Sequence, residues 1–221
     1  TAIFSTSVTD LAITLGPEGD ASGIDDGLGG TDTLESIENL VGGRGNDQFT
    51  GNSVGNRLEG GAGDDTLTGG GGDDILIGGI GADLFRVDEG SDTILDLGLG
   101  QDRIEIAAGA SAQATLENDW TAGPDSVVEG TLHIQTNGYD LDLSALDVDP
   151  TTGVTASNSG NDAGESITGS QVQSTLTGGS GDDSMIGANG KDTLVGDAGA
   201  DTLRGQDQND TLEGGAGDDS M

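Results

Sequence analysis

Aspartates recur at fixed intervals in this chain. Asp47, Asp65, Asp74, Asp83 and Asp92 fall in one stretch and Asp183, Asp192, Asp201, Asp210 and Asp219 in another, each nine residues or a multiple of nine from the next. A carboxylate is a hard oxygen donor, and most of these acids follow glycine-rich turns whose backbone carbonyls are oxygen donors too. The chemistry such a pattern offers is ligation of a hard cation by oxygen. General acid–base or nucleophilic work fits poorly, because the acids recur regularly at turn positions and no Cys or His recurs beside them.

The elements that would hold these acids follow from the same period. From residue 42 the chain divides into nines: GGRGNDQFT, GNSVGNRLE, GGAGDDTLT, GGGGDDILI, GGIGADLFR. Glycine favours places one, two and four, an acid or amide fills place six, and an apolar residue fills place eight. The apolar places are Phe49, Leu58, Leu67, Leu76 and Phe85. A second run from about Gly160 adds Ile167, Leu176, Met185, Leu194, Leu203, Leu212 and Met221. Six Gly/Asp-rich residues predict a tight turn in backbone conformations that glycine adopts cheaply. The remaining three predict a very short strand with its central side chain inward. Two nonapeptides then close one coil, giving two facing parallel sheets around a thin aliphatic core. Successive coils stack about 4.8 Å apart, so the place-six acid of one repeat lies over that of the repeat two further on. Carboxylates at that spacing repel unless a cation separates them.

Composition agrees. Forty-three glycines among 221 residues is nearly three times the usual share, with aromatics at 2% and hydrophobics at 31%. So little apolar mass cannot offset the ordering entropy by burial alone. With 41 acids against 6 bases the formal net charge is -35, which disfavours nucleic acid and anionic membranes as partners. The absence of cysteine rules out disulfides and thiolate metal sites, and one histidine argues against a histidine-rich zinc site. No apolar run approaches a membrane span, and no signal peptide opens the chain.

On these repeats the sequence resembles the RTX family, the repeats-in-toxin calcium-binding β-roll with the repeat G-G-x-G-x-D-x-U-x. The resemblance covers 42–105 and 160–221 closely, and 20–41 loosely through GLGGTDTLESIENL. It implies an all-β fold with two calcium-binding parallel β-rolls, and the stretch between them reads on its own residues as an antiparallel β spacer. It also implies several Ca2+ ions, each held by carbonyls of places two and four and the Asp of one turn. Carbonyls of places one and three and the Asp of the turn two repeats later complete each set. Carried over, one site takes Gly43, Gly45 and Asp47 with Gly60, Ala62 and Asp65, and the next takes Gly61, Gly63 and Asp65 with Gly78, Ile80 and Asp83. In the later run Asp183 pairs with Asp201 through Gly179, Gly181, Gly196 and Ala198. Asp192 pairs with Asp210 through Ala188, Gly190, Gly205 and Asp207, and Asp201 pairs with Asp219 through Asp197, Gly199, Gly214 and Ala216.

Departures from the pattern carry expectations of their own. Asn56 and Ser174 replace the acid in the second repeat of each run, each with valine at place four (Val54, Val172), so sites relying on them should be weak or empty. Glu165, opposite Asp183, is intermediate, because a longer side chain can still reach. After Arg86 the glycines fade while the register persists, so Asp92 can close a site with Gly70, Gly72 and Asp74. Asp96 and Asp102 follow with a one-residue slip, as a closing calcium-binding tail. The chain opens on Thr1 and stops one residue short of a full nonapeptide at Met221, which suggests a piece of a longer repetitive protein.

The expected division is 1–41 as entry segment, 42–105 as first roll, 106–159 as spacer or cap, and 160–221 as second roll. Leu11, Ile13 and Leu15 alternate as an edge strand into the first roll. In the spacer, TLHIQTNGYDLDL reads as a hairpin about an Asn137-Gly138 type I′ turn. It would pair Thr136 with Tyr139, Ile134 with Leu141 and Leu132 with Leu143, and set His133 opposite Asp142 as a surface pair. That apolar face would cap the roll together with Trp120 and Val127. Other motifs fail. Lys191 is followed by Asp192 rather than Ser or Thr, so there is no phosphate loop. No EF-hand loop occurs. The Asp64-Asp65 pair, which might suggest glycosidase carboxylates, is one of a recurring series, and the place-seven Thr/Ser row is explained by β-propensity rather than ice binding. The expected role is a non-catalytic module that folds on calcium after export through a type I channel, as part of an extracellular or cell-surface protein of adhesin or surface-layer type. Copies of itself or other surface components would be its partners. The alternative is the non-catalytic RTX module of a secreted protease, lipase or alginate epimerase, or of a toxin.

Overall fold

A computed structural model describes residues 1–24, 32–158 and 163–221, and every described element is a β-strand. The chain divides into two compact units, 1–112 and 113–221. Gly27–Gly30 and Thr31 of the loosely matching segment, and Gly160, Asn161 and Asp162 at the start of the second run, lie outside the described residues.

In the first unit, strands Ala2–Ile3, Asn39–Val41, Arg57–Ala62, Ile75–Ile80 and Ser91–Leu97 succeed one another in one sheet. A second sheet runs Ala12–Thr14, Gln48–Thr50, Thr66–Thr68, Leu84–Val87 and Arg103–Ile106. Neighbours within both are parallel, with Leu58 on Leu76 and Phe49 on Leu67. Each coil contributes one strand to each sheet, so the place-eight side chains meet between them. Phe49, Leu58, Leu67, Leu76, Phe85 and Ile94 are fully buried. The segment with Leu11, Ile13 and Leu15 does form the terminal strand of its sheet, with all three side chains inward. One antiparallel pair, Ala21–Ile24 with Asp32–Leu34, stands outside the coils.

The second unit repeats this arrangement above residue 163, with Leu176 on Leu194 and Met185 on Leu203. Below it the expected antiparallel hairpin does not form. Thr131–Gln135 pairs in parallel with Val154–Ser157, and Leu141–Asp142 in parallel with both Trp120–Thr121 and Ser166–Thr168. A third short parallel pair joins Val127–Val128 to Asp147–Val148. The spacer is therefore a three-sided parallel solenoid stacked directly beneath the second roll, and its longer coils bond across 21 residues. Asn137 and Gly138 do take the positive φ values of 55° and 85° expected of the turn, closed by Tyr139 N–H donating to Thr136 O at 3.1 Å. That turn is a corner between two sheets. Leu132, Ile134, Leu141 and Leu143 still share one core, which accounts for the alternation. His133 stands beside Thr155 in register, with Nε2 3.4 Å from Ser157 Oγ, and does not face Asp142. Val128 is the buried valine of its strand, while Val127 is half-buried.

Candidate metal sites

The nine-residue period stacks the place-six side chains into columns. Asp65 Oδ1 accepts the Asp47 N–H at 2.6 Å, Asp83 Oδ1 that of Asp65 at 2.8 Å, and Asp102 Oδ1 that of Asp83 at 3.0 Å. A second column runs Asn56, Asp74, Asp92 at 2.7 and 3.1 Å. In the other unit Glu165, Asp183, Asp201 and Asp219 form a third, and Ser174, Asp192 and Asp210 a fourth. Each link spans 18 residues except the one from Asp83 to Asp102, which spans 19 and contains the expected slip.

One oxygen of each carboxylate is thus used. The other, Oδ2, has no hydrogen-bond partner and no solvent in Asp65, Asp74, Asp83, Asp92, Asp183, Asp192 and Asp201. An orphaned buried carboxylate oxygen is costly, and a row of them fits cation ligation. Titration follows. Burial lifts Asp65, Asp83 and Asp92 to about 7, with neighbouring carboxylates adding to it. Burial likewise lifts Asp74, Asp183 and Asp192 to about 6. A bound cation would hold all of them ionised.

The turns supply the remaining oxygens. Gly61 lies on Gly79 and Ala62 on Ile80, and Gly179 lies on Asp197 and Ser180 on Ala198. Carbonyls of places two and three bond turn to turn, as in Ala62 N–H to Gly43 O and Gly63 N–H to Ile80 O, both at 2.9 Å. A carbonyl has two lone pairs, so this leaves one for a further partner. Place one must be glycine for a separate reason: a Cβ on Gly60, Gly78 or Gly196 would overlap Oδ2 of Asp65, Asp83 or Asp201. Among the described residues no three His, Cys, Asp or Glu side chains converge on one point. The donor sets are pairs of carboxylates with carbonyls between them, which suits calcium.

A family model described as the RTX calcium-binding nonapeptide repeat (4 copies) matches residues 26–53, 50–85, 59–94, 159–194 and 186–221, more than half of the chain. The chain belongs to this family. No curated protein matches the sequence. RTX repeats bind Ca2+ ions between their turns, and the chain is a calcium-binding structural module built as a parallel β-roll solenoid.

Within this RTX frame the column ends differ from one another. Asp47 accepts one hydrogen bond on each oxygen, Oδ1 from Leu11 N–H at 2.9 Å and Oδ2 from Gly43 N–H at 3.1 Å, which leaves a lone pair on each for a further partner. Asn56 accepts from Asn52 N–H and donates Nδ2 to Glu38 O at 3.0 Å. The Ser174 hydroxyl accepts from Ser170 N–H at 3.0 Å. These two substitutions close their columns with hydrogen bonds instead of charge. At the far end of the first column Asp96 takes place one instead of glycine and accepts from Gly78 and Gly79 N–H at 3.0 and 2.7 Å. Asp102 accepts from Gly98 N–H at 2.8 Å, and both carboxyls crowd the buried Asp83.

Place five was missed as a functional position. Asn46, Asp64, Asp73 and Asp182 accept the N–H of Asp64, Ala82, Ser91 and Ala200, and Asp10 below the first repeat accepts that of Asn46. These ladders bond toward the following coil, whereas the place-six ladders bond toward the preceding one. The recurrence of Asn or Asp at place five was the available signal.

Proposed function

We propose that this RTX module folds on calcium outside the cell and serves as a structural element of a large secreted or cell-surface repeat protein, of adhesin or surface-layer type. The supporting observation is the row of buried, unpartnered Oδ2 atoms, which a compact metal-free state would have to keep protonated or repelling. The ligand sets are those named from the sequence. In the first roll Asp47 joins Asp65, Asp65 joins Asp83, and Asp74 joins Asp92, with Asp96 and Asp102 closing the end. In the second roll Asp183 joins Asp201, Asp192 joins Asp210, and Asp201 joins Asp219, each pair with its turn carbonyls. The divisions 1–41, 42–105, 106–159 and 160–221 give a roll, a spacer and a roll, a pattern suited to an extended array. Among the described residues no helix is long and apolar enough to cross a membrane. Extracellular calcium modules bind at about 10⁻⁴–10⁻³ M, so such a chain would stay unfolded inside, pass a type I channel, and fold on exit. Far-UV circular dichroism during calcium titration of EGTA-stripped protein tests this. A cooperative gain of β signal, with little response to equal magnesium, is the expected result. A spectrum already β-rich in EGTA and indifferent to calcium would withdraw the proposal and its ligands.

A further inference from the structure

Three columns open on a residue other than Asp, and only one of these openings is unsatisfied. Asn56 and Ser174 make their own hydrogen bonds, as described above. Glu165 is 3% exposed, its N–H donates to Asp183 Oδ1 at 3.0 Å, and neither of its carboxylate oxygens has a hydrogen-bond partner. Asn158 is 2% exposed, and both polar atoms of its carboxamide are equally unpartnered.

Register brings the two together. Ser157 lies on Thr177, so Asn158 stands one coil below Gly178, the place-one glycine whose absent Cβ makes room for Asp183 Oδ2. Asn158 therefore puts a side chain where the coils above have only hydrogen. One coil lower, Gln135 lies on Ser157, which sets the fully buried Thr136 beneath Asn158. The Thr136 hydroxyl lies near the Glu165 carboxyl but donates to Ser157 O at 3.4 Å, which leaves its oxygen lone pairs available to a cation. No base balances the charge: among the described residues the ion pairs are Arg57–Glu59 and Arg86–Glu105.

We propose that Glu165, Asn158 and Thr136 form a further calcium site, made of side-chain oxygens, at the junction between the three-sided spacer and the second roll. It differs from the repeat sites in taking a carboxamide and a hydroxyl where they take glycine carbonyls. All of its donors are hard oxygens, which suits calcium; zinc prefers nitrogen and sulfur, and magnesium gives up its waters reluctantly. Such an ion would tie the last spacer coils to the first coil of the roll.

Terbium, an oxygen-seeking stand-in for calcium, provides the test. Trp120 is the one tryptophan, and it lies in the same stack of strands as Leu141 and Ile167, two residues from Glu165. Terbium luminescence excited through Trp120 should saturate in the intact chain and compete with calcium. N158A should weaken that signal about tenfold in affinity, since one ligand is lost. N158D, which adds a carboxylate, should retain or tighten it. A site formed by Glu165 and Asp183 with turn carbonyls alone would leave N158A unchanged, which would overturn the proposal. A metal-free plug, with the Asn158 amide bonded to a neutral Glu165, would leave only the emission of the repeat sites, unchanged in N158A, and would be broken by N158D; that outcome would overturn it too. Failure of the calcium-folding reading looks different: the dichroism would ignore calcium, while loss of the terbium signal in N158A would still support this site.

Discussion

At the scale of the residue, Asp65, Asp83 and Asp92 make the metal-free roll sensitive to pH. Their folded values near 7 stand above the ordinary 3.8 because burial favours the neutral form. Between these values the metal-free folded state binds protons that the unfolded chain has lost. The stability linked to these groups is therefore complete below the unfolded value and is lost as pH rises through about 7. Acidifying EGTA-treated protein from neutrality toward pH 5 should raise its β signal without calcium. Calcium added near pH 6 should release protons, measurable by pH-stat. A metal-free spectrum that ignores pH over this range would count against buried, uncompensated carboxylates. The acids themselves were legible from spacing alone, because a residue repeated every nine must meet its copies in a coil of two nonapeptides. Asn158 was not legible. Its importance depends on lying under Gly178 and above Thr136, and in sequence it stands seven positions before Glu165 where Gly178 stands five before Asp183, which breaks the period that would have shown it.

At the scale of the element, the turns explain which glycines matter. Gly61 and Gly63 at places two and four take φ values of 117° and 127°, but the later repeats put Ala188, Asp197, Gln206 and Gln208 at such places, all with positive φ. A side chain in that region is strained. Gln206→Gly should stabilise the calcium-loaded protein by about 1 kcal/mol in urea unfolding. Gly60→Ala should do the reverse by more, since its Cβ would meet Asp65 Oδ2, and should also raise the calcium concentration needed to fold. Equal effects from the two would mean that turn geometry is not what place one and place two select. The hairpin error belongs to this scale. Asn-Gly at 137 and 138 favours two successive positive φ angles, and both a hairpin and a solenoid corner need them. Apolar alternation on both sides is likewise common to two strands paired with each other and two strands facing across a core. Only the partners beyond the turn distinguish the two, and they lie about a coil away in sequence.

At the scale of the molecule, the rolls and the spacer should differ in what holds them. The rolls bury carboxylates, whereas the spacer buries Leu116, Trp120, Leu132, Ile134, Leu141, Leu143, Leu146 and Val148 around a fuller apolar core. Hydrogen exchange in EGTA should leave amides of 113–158 more protected than those of the place-six columns, and calcium should equalise them. Uniform loss of protection on chelation would mean that the spacer, too, depends on the metal. The period of the rolls was open to reading, and with it the parallel sheets. The three-sided spacer was not, since its coils share no residue motif, only a length.

The coil repeat also determines how the protein would yield to a load. Among the described residues a strand of the coils bonds only to the coils before and after it, so tension applied along the chain would peel coils singly from an end. Each coil of the rolls, 18 residues around, would pay out about 60 Å of slack as it opens. On the proposed calcium-driven folding, a chain of this kind would lengthen in small increments under strain instead of snapping, and would rewind on meeting calcium.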